Sequence, residues 1–259
     1  IASERRQVMK VLVTGATGYI GNQLIQRLSL MPFQIRCLAR NPDRMREIKN
    51  TSIEVRRGDL LSHNSLREIM KGIDVAFYLV HSMDSKNDFE TLEVEAAKNF
   101  IKAAVENKVK RIIYLGALGS EEEGHLSPHL QSRKQVGNIL RDSGIQVIEF
   151  QASIILGAGS LSYEMIKALS EKLPVMIMPK WVSVKAQPIS IRDVLGYLTQ
   201  AIDLKVEGNE IYEIGGPNVV SYKELIQEYS LQRGLKRFLI PVPVLTPWLS
   251  SLWLALVTP

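Results

Sequence analysis

The stretch KVLVTGATGYIG at residues 10–21 decides the fold. It predicts a buried strand over 11–13, a tight turn and the start of a helix, with Gly15, Gly18 and Gly21 spaced three residues apart. The first glycine suits the sharp turn, the second lets the main chain approach a diphosphate, and the third lets the helix pack closely. The helix amino terminus then offers free N–H groups and a positive dipole end to two phosphates. At the first strand-to-helix junction, this pattern predicts a dinucleotide-binding site.

The composition limits the class of protein. The chain has 259 residues, of which 46% are hydrophobic and 23% are charged, as is typical of a globular protein. Its net charge of +5 includes no block of Lys and Arg interleaved with aromatic residues, so the pattern does not predict nucleic-acid binding. Cys37 is the single cysteine, which excludes an internal disulfide framework and favours a reducing compartment. We therefore expect a cytoplasmic protein.

Strands alternate with helices over the first part of the chain. After the first strand we predict strands over 33–39, 53–56, 74–80, 111–115 and 145–150, and helices that include 45–49 and 130–142. This alternation predicts an α/β fold with a doubly wound parallel sheet covered on both faces. The ligand is expected along the carboxyl ends of the strands.

The second part of the chain is less regular. We predict helices over 161–172 and 191–204, strands over 175–178 and 210–214, and a capping box formed by Ser221 and Glu224. Residues 8–156 are thus expected to form the dinucleotide-binding Rossmann domain, and 157–259 a small substrate or partner lobe interleaved with it.

The end of the sequence is strongly apolar. Residues 238–257 read FLIPVPVLTPWLSSLWLALV, and three prolines in the first half leave about ten residues of continuous helix, too short to span a bilayer. We expect this segment to pack on the domain or on further residues of a natural chain that continues past 259. The alternative is a surface for a protein partner or a membrane.

The end of the second strand indicates which dinucleotide binds. An acidic residue there would accept a hydrogen bond from the ribose 2′-hydroxyl of NAD, whereas a basic residue pairs with the 2′-phosphate of NADP. The strand ends in Arg40, whose planar guanidinium suits phosphate, so we expect NADP(H) to be favoured over NAD(H). The alternative is a solvated surface charge. Asp59 is expected near the adenine, or else in a loop turn.

Four motifs carry a resemblance to a known superfamily. They are TGATGYIG at 14–21, GDL at 58–60, PISIRDV at 188–194 and EIYEIGGP at 210–217. With them the chain resembles the short-chain dehydrogenase/reductase superfamily, in its atypical and extended branches, and is similar to NmrA-like and epimerase-like NAD(P)-binding members. The resemblance implies a Rossmann fold and these cofactor-binding residues: Gly15, Thr17, Gly18, Tyr19, Ile20, Arg40, Asp59, Leu60, Leu79, Val80, His81 and Arg133.

The catalytic group of that superfamily is altered in this chain. The family places a Ser or Thr after strand five and a Tyr-x-x-x-Lys at the start of the next helix. Here Gly116 and Ala117 follow strand five without a hydroxyl, and the tyrosine and lysine positions fall on His129 and Arg133. Lys134 is one residue out of register, about 100° around a helix. The usual proton-transfer groups are therefore replaced.

The replacements restrict the chemistry. Arg133 can bind a ribose hydroxyl or a phosphate, but a guanidinium does not exchange a proton near neutral pH. His129 is a candidate general acid, because an imidazole ordinarily titrates near ~6.5; the alternative is a helix-start histidine with no chemical role. Gln151 stands where the family often has Arg, another departure. The histidines show no zinc spacing with cysteine, so we expect no metal site.

These observations support two functions. The first is an NADP(H)-dependent reductase or epimerase that works without the usual Ser, Tyr and Lys. The second is a non-catalytic dinucleotide-binding redox sensor, regulator or assembly factor. A fold alone does not choose between them.

Overall fold

A computed structural model describes residues 8–45, 50–81, 89–119 and 127–241. The chain divides into two compact units, the first formed by Ile1–Ala152 with Leu195–Glu213 and the second by Ser153–Val194 with Ile214–Pro259. That 157–259 serves as a substrate lobe stays a prediction, and within the chain 195–213 returns to the first unit.

Helices and strands follow one another along the chain in a fixed order. Up to residue 152 they are β1 (Lys10–Val13), α1 (Tyr19–Leu28), β2 (Gln34–Ala39), β3 (Ile53–Arg57), α2 (His63–Ile69), β4 (Val75–Tyr78), α3 (Phe89–Glu106), β5 (Arg111–Ala117), α4 (Pro128–Arg141) and β6 (Gln146–Ala152). The remaining elements are β7 (Ile155–Leu156), α5 (Leu161–Lys172), β8 (Val175–Met178), β9 (Lys185–Ala186), β10 (Ile189–Ser190), α6 (Ile191–Gln200), β11 (Glu210–Ile214), β12 (Val220–Ser221), α7 (Tyr222–Gln232) and β13 (Phe238–Pro241).

A seven-stranded sheet in the order β11-β6-β5-β4-β1-β2-β3 organises the first unit. Strands β1 to β6 pair in parallel, with Val11 opposite Ile35 on one side and Val75 on the other. The strand order reverses between β1 and β4, and in such sheets ligands bind outside the carboxyl ends at that point. The predicted doubly wound α/β fold is confirmed.

Continuous apolar strands build the core of the first unit. Val11, Leu12 and Val13 are fully buried, as expected of a strand covered on both faces. On β4, the Tyr78 ring contacts the Phe100 ring of α3 edge to face, with the ring centroids 4.9 Å apart. Such aromatic pairs hold helix and sheet together beyond the burial of their area.

The second unit is built from short paired strands and two helices. Strands β8 and β13 pair in parallel, and α5 and α7 supply most of the remaining core. Helix α7 begins with the predicted capping box: the Ser221 hydroxyl accepts from the Glu224 N–H, and the Glu224 carboxylate accepts from the Ser221 N–H. The reciprocal bonds satisfy two N–H groups that a helix otherwise leaves open.

Several predicted boundaries are corrected. Strand β5 continues to Ala117 and β6 to Ala152, so Gly116 and Gln151 lie within strands and not after them. Helix α6 ends at Gln200, four residues before the predicted end. Around the predicted helix 45–49, the structure has a 3₁₀ turn over Pro42–Met45, and 46–49 lie outside the described residues.

The apolar end of the sequence begins as a strand. Phe238–Pro241 form β13, whereas 242–257 lie outside the described residues, so that a partner or a membrane binds there stays a prediction. His125 also lies outside them. Within the described ranges, no helix has both the length and the hydropathy that crossing a membrane requires.

Candidate functional site

The turn after β1 tolerates only glycine at two positions. Gly15 has a φ of +67°, and a Cβ there would lie 2.4 Å from the carbonyl oxygen of Leu79. A Cβ on Gly21 would lie 2.2 Å from the carbonyl oxygen of Gly15, so the first turn of α1 packs directly on the loop. The Gly18 N–H donates to the same oxygen at 2.9 Å. The glycine spacing thus closes a tight main-chain cradle, as the sequence predicts.

Thr14 fixes this cradle to the neighbouring strand. Its buried hydroxyl donates to the Phe77 carbonyl at 2.9 Å and accepts from the Leu79 N–H at 3.1 Å. One side chain therefore ties the end of β1 to the end of β4. Sequence reasoning missed this role, although a hydroxyl directly before the glycine turn was visible as a signal.

The amino terminus of α1 is open to an anion. The residue before the helix is Gly18, which offers no side-chain cap, and the first turn holds no acidic residue. The N–H groups of a helix start without a cap need an acceptor, and the helix dipole favours a negative one. Tyr19 and Ile20 begin the helix, but they are not among the residues that line the cleft described next.

A cleft of about 390 Å³ opens at the carboxyl ends of β1 to β4. It brings together nine predicted cofactor residues, namely Gly15, Thr17, Gly18, Arg40, Asp59, Leu60, Leu79, Val80 and His81. Five further residues line it that sequence reasoning did not assign: Leu38, Ala39, Leu61, Leu92 and Ala96. Leu92 and Ala96 belong to α3, where apolar residues recur at helical spacing in the sequence, and that pattern was the available signal.

A second cavity, of about 570 Å³, lies near the amino ends of β1 and β2, away from the glycine turn. Among its lining residues, Arg36 already donates to Glu54 at 2.6 Å and to the carbonyl of Ile69 at 2.6 Å. Arg36 and Glu54 are thus paired with each other, and the cavity lies at the wrong end of the sheet for a dinucleotide.

Two polar residues mark the end of the cleft beside β2 and β3. Arg40 is exposed, and among the described residues its guanidinium has no hydrogen bond or ion pair. Asp59 lines the cleft, and one of its carboxylate oxygens accepts from the Leu61 N–H at 3.0 Å in a local turn. The turn predicted as the alternative for Asp59 is therefore present, and the residue also faces the cleft.

The residues fit a dinucleotide on three observations. The glycine cradle leaves no room for side chains, the helix start leaves N–H groups without a side-chain acceptor, and Arg40 leaves a cation without a described partner. The first two suit a diphosphate, and the third suits a further phosphate.

His81 lies at the end of the cleft beside β4 and β5. Burial, with the nearby charge of Arg133, lowers the pKa of His81 to about 3, against a hydrogen bond to the Leu115 main chain that raises it. Its ring centroid is 6.4 Å from that of Tyr114. The imidazole is therefore neutral near pH 7, so it lines the site and does not supply a proton there.

Helix α4 carries the two residues at the altered catalytic positions. His129 is exposed, and its ring stacks on Phe89 with the centroids 4.4 Å apart at 25°. Arg133 lies one turn further along, is half-buried, and is not among the cleft-lining residues. Its charge nevertheless acts on His81 in the cleft and on Tyr114 in β5. Lys134 is exposed.

The place of the family's hydroxyl on β5 is filled from the next strand. A Cβ on Gly116 would lie 3.0 Å from a carboxylate oxygen of Glu149 and 3.2 Å from the Tyr114 ring. Glu149 is buried and pairs with Arg141, and it also accepts from the Gln151 amide at 2.8 Å. Gly116 thus carries no hydroxyl, and a side chain added there would be crowded by Glu149 and Tyr114.

No group of three or more potential metal ligands occurs in the described part of the chain. The polar groups that line the cleft are main-chain N–H groups, the Arg40 guanidinium, the Asp59 carboxylate and the neutral imidazole of His81.

A parallel sheet in this strand order, with a glycine turn and an open helix start at the point of reversal, defines a doubly wound dinucleotide-binding protein. The chain belongs to the NAD(P)H-binding family, whose model matches residues 15–156, more than half of the sequence. It is a protein of the short-chain dehydrogenase/reductase type, similar to atypical members, as the four motifs predict.

Relatives of known function differ from one another. A UDP-glucose 4-epimerase of Vibrio cholerae is 20% identical over 93% of this chain and 81% of its own length. The photosystem II assembly factor Ycf39 of Cyanidium caldarium is 24% identical over 92% of this chain and 75% of its own length. Both of the functions inferred from sequence, an enzyme and an assembly factor, thus occur among the relatives.

A solved structure agrees with the fold. The Citrobacter sp. triphenylmethane reductase complexed with NADP(H) superposes with a TM-score of 0.78 at 21% identity, covering 97% of this chain and 85% of that one. At this identity the likeness shows the fold alone. NAD(P)H binding is established by the family, and the preference between the two dinucleotides is not.

Proposed function

We propose that this protein is an NADP(H)-dependent reductase that transfers a hydride without a tyrosine proton relay. The observation that carries the proposal is the exposed Arg40, which has no partner among the described residues and lies at the rim of a cleft whose other end is a glycine cradle. A guanidinium at the end of the second strand matches the place of a 2′-phosphate.

Each part of the cleft has a role in this proposal. The N–H groups of Tyr19 and Ile20 bind the diphosphate, Gly18 lets the main chain approach it, and Thr17 lines the same turn. Asp59 and Leu60 face the adenine side. The main chain of Leu79 and Val80, with His81, faces the nicotinamide side, where Arg133 binds a ribose hydroxyl or a phosphate. The support for these roles is the lining of the cleft and the charge of Arg133 near His81.

A bound nicotinamide supplies a hydride, and the protein has mainly to orient it. In the reduction of a carbonyl group, the hydride adds to the carbon and a proton must reach the oxygen. A guanidinium is not a proton donor near neutral pH, and the neutral imidazole of His81 is not an acid there either. The proton donor is therefore His129 or water. The exposed imidazole of His129 stands at the start of α4, which is compatible with exchange with solvent.

Titration of the protein with NADPH and with NADH tests the proposal. We expect tighter binding of NADPH, and we expect Arg40→Asp to weaken NADPH binding roughly 10- to 100-fold while sparing NADH, because a charge-assisted contact to phosphate is lost. The matched control is Arg67→Asp, an identical charge change on the exposed face of α2. Wild-type preference for NADH, or equal losses in both variants, would overturn the NADP(H) assignment.

A second function is favoured by a different observation. The carboxylate of Glu149 occupies the space beside Gly116 where the superfamily has its hydroxyl, which supports a dinucleotide-binding sensor, regulator or assembly factor without turnover. The likeness to Ycf39 points the same way.

Turnover separates the two functions. We expect the wild type to oxidise NADPH with carbonyl or quinone acceptors. If the His129 side chain donates the proton, His129→Ala and His129→Gln should both lower the rate of turnover, and added imidazole should restore part of it. Turnover indifferent to either variant assigns the proton to water. NADPH binding without turnover on any acceptor would favour the second function.

A further inference from the structure

Two buried hydroxyl groups hold the start of α4 in place. Tyr114 is fully buried on β5, and its hydroxyl donates to the carbonyl oxygen of Arg133 at 3.0 Å. One residue earlier, the Ser132 hydroxyl is 1% exposed and donates to the carboxylate of Glu93 on α3. Strand β5 and helix α3 therefore each form one hydrogen bond with α4, and the two bonds involve adjacent residues of α4.

These bonds are not required to fill space. A Phe at 114 or an Ala at 132 would keep most of the apolar contact, whereas a buried hydroxyl or carboxylate costs free energy unless it is satisfied. Because successive residues on a helix are about 100° apart, two anchors at neighbouring positions fix both the rotation and the height of the helix. The polar atoms thus specify how α4 is seated on the sheet.

The position and rotation of α4 on the sheet determine where the Arg133 charge lies. That charge acts on the His81 imidazole in the cleft and on the Tyr114 phenol, whose ring centroids are 6.4 Å apart. Among the described residues no carboxylate pairs with the Arg133 guanidinium. In the described part of the chain, the hydrogen bond from Tyr114 holds the Arg133 main-chain carbonyl and leaves its guanidinium available near His81.

We propose that Tyr114 and the Ser132–Glu93 pair are positioning residues, which hold α4 so that Arg133 meets the nicotinamide half of the bound dinucleotide. The inference rests on the proposed binding of NADP(H), and it assigns the orientation of Arg133 to two contacts outside the cleft. In this arrangement the lysine of the superfamily is replaced by an arginine that a tyrosine and a serine keep in register.

Nucleotide fragments test the proposal. Adenosine 2′,5′-bisphosphate lacks the nicotinamide ribose, so it does not reach Arg133, whereas NADPH does. We expect Tyr114→Phe and Ser132→Ala each to weaken NADPH binding roughly fivefold, the equivalent of one hydrogen bond, and to leave the bisphosphate unchanged. Glu93→Gln, which keeps an acceptor for Ser132, should retain most of the NADPH affinity that Glu93→Ala loses. The matched control is Tyr212→Phe, a hydroxyl removed from a ring that stacks on Phe150.

A second measurement needs no nucleotide. An NMR titration of His81 reports the distance of the Arg133 charge, so Tyr114→Phe should raise the pKa of His81 while Tyr212→Phe leaves it unchanged. Failure of the wild type to bind NADPH would refute the proposed function, and the His81 titration would still judge the positioning. Equal losses for both nucleotides, or an unshifted His81, would reduce Tyr114 to a packing residue and overturn the inference.

Discussion

Two regions of the first unit treat their polar groups in opposite ways. The cofactor region comprises the glycine turn, the start of α1 and Arg40, and it leaves N–H groups and a cation without a side-chain partner in the described structure. The chemistry region comprises β5, β6 and α4. There Tyr114 bonds the carbonyl of Arg133, and Glu149 pairs with Arg141.

The difference indicates which region is open to a ligand and which is held by contacts within the protein. The N–H groups of an uncapped helix start need an acceptor, and an anion suits both them and the exposed guanidinium of Arg40. The chemistry region is largely satisfied from within, by the hydrogen bond from Tyr114 to the Arg133 carbonyl and by the ion pair of Glu149 with Arg141. The NAD(P)H-binding part is therefore the one that the sequence makes recognisable, whereas β5, β6 and α4 are held together by internal hydrogen bonds.

The largest effect is expected in the cofactor region, from Gly15→Ala. The added Cβ would meet the Leu79 carbonyl oxygen at 2.4 Å, at a φ of +67°. Left-handed strain and overpacking together should lower the free energy of unfolding by about 3 kcal/mol and abolish NADPH binding. Urea denaturation and nucleotide titration measure the two effects.

Gly72→Ala is the control for that substitution. Gly72 has nearly the same φ, +70°, but a Cβ there would meet no atom within 4 Å, so only the strain of about 1 kcal/mol remains. If the two variants lost equal free energy of unfolding, contact with the Leu79 carbonyl would not restrict residue 15. The description of the turn as a tight main-chain cradle would then be wrong.

An intermediate effect is expected in the chemistry region, from Gly116→Ser. Restoring the family's hydroxyl places a Cβ 3.0 Å from the Glu149 carboxylate, and we expect a loss of about 2 kcal/mol with no gain in turnover. The control is Gly196→Ser, where the nearest atom would be 3.9 Å away. In a Glu149→Ala background the cost of Gly116→Ser should shrink, because neighbours in contact are not additive. Additive losses, or a serine that confers activity, would contradict the account of the filled site.

The sequence predicted the cofactor region better than the chemistry region for a physical reason. The glycine turn is local: strand, turn and helix start are contiguous, so spacing alone identifies the cradle. Arg40 was found in the same way, as the residue directly after an apolar strand. Thr14 was missed because its partner Phe77 lies 63 residues away in sequence.

The chemistry region depends on contacts between distant elements. Nothing in the local pattern of β6 indicates that Glu149 lies against Gly116 on β5 and Gly137 on α4. The length of β5 was likewise underestimated, because its last two residues pair with β6 and carry little strand propensity of their own. Helix α4 itself was predicted, but its anchors on Glu93 and Tyr114 required the tertiary structure.

The smallest effect concerns His81, which lies where the two regions meet. Its folded-state pKa of about 3 is below the ordinary value, so the unfolded chain takes up a proton below about 6.5 that the folded chain refuses until about 3. Its contribution is therefore complete above about pH 6.5 and is lost as the pH falls. From about pH 7 to about pH 5 the full shift would amount to about 2 kcal/mol, and partial exposure reduces the expectation to about 1 kcal/mol. We expect urea denaturation of His81→Gln to show a shallower loss of stability over this range than the wild type. A wild-type slope in His81→Gln would mean that the imidazole is hydrated. The boundary between the cofactor region and the chemistry region would then lie deeper in the cleft than His81.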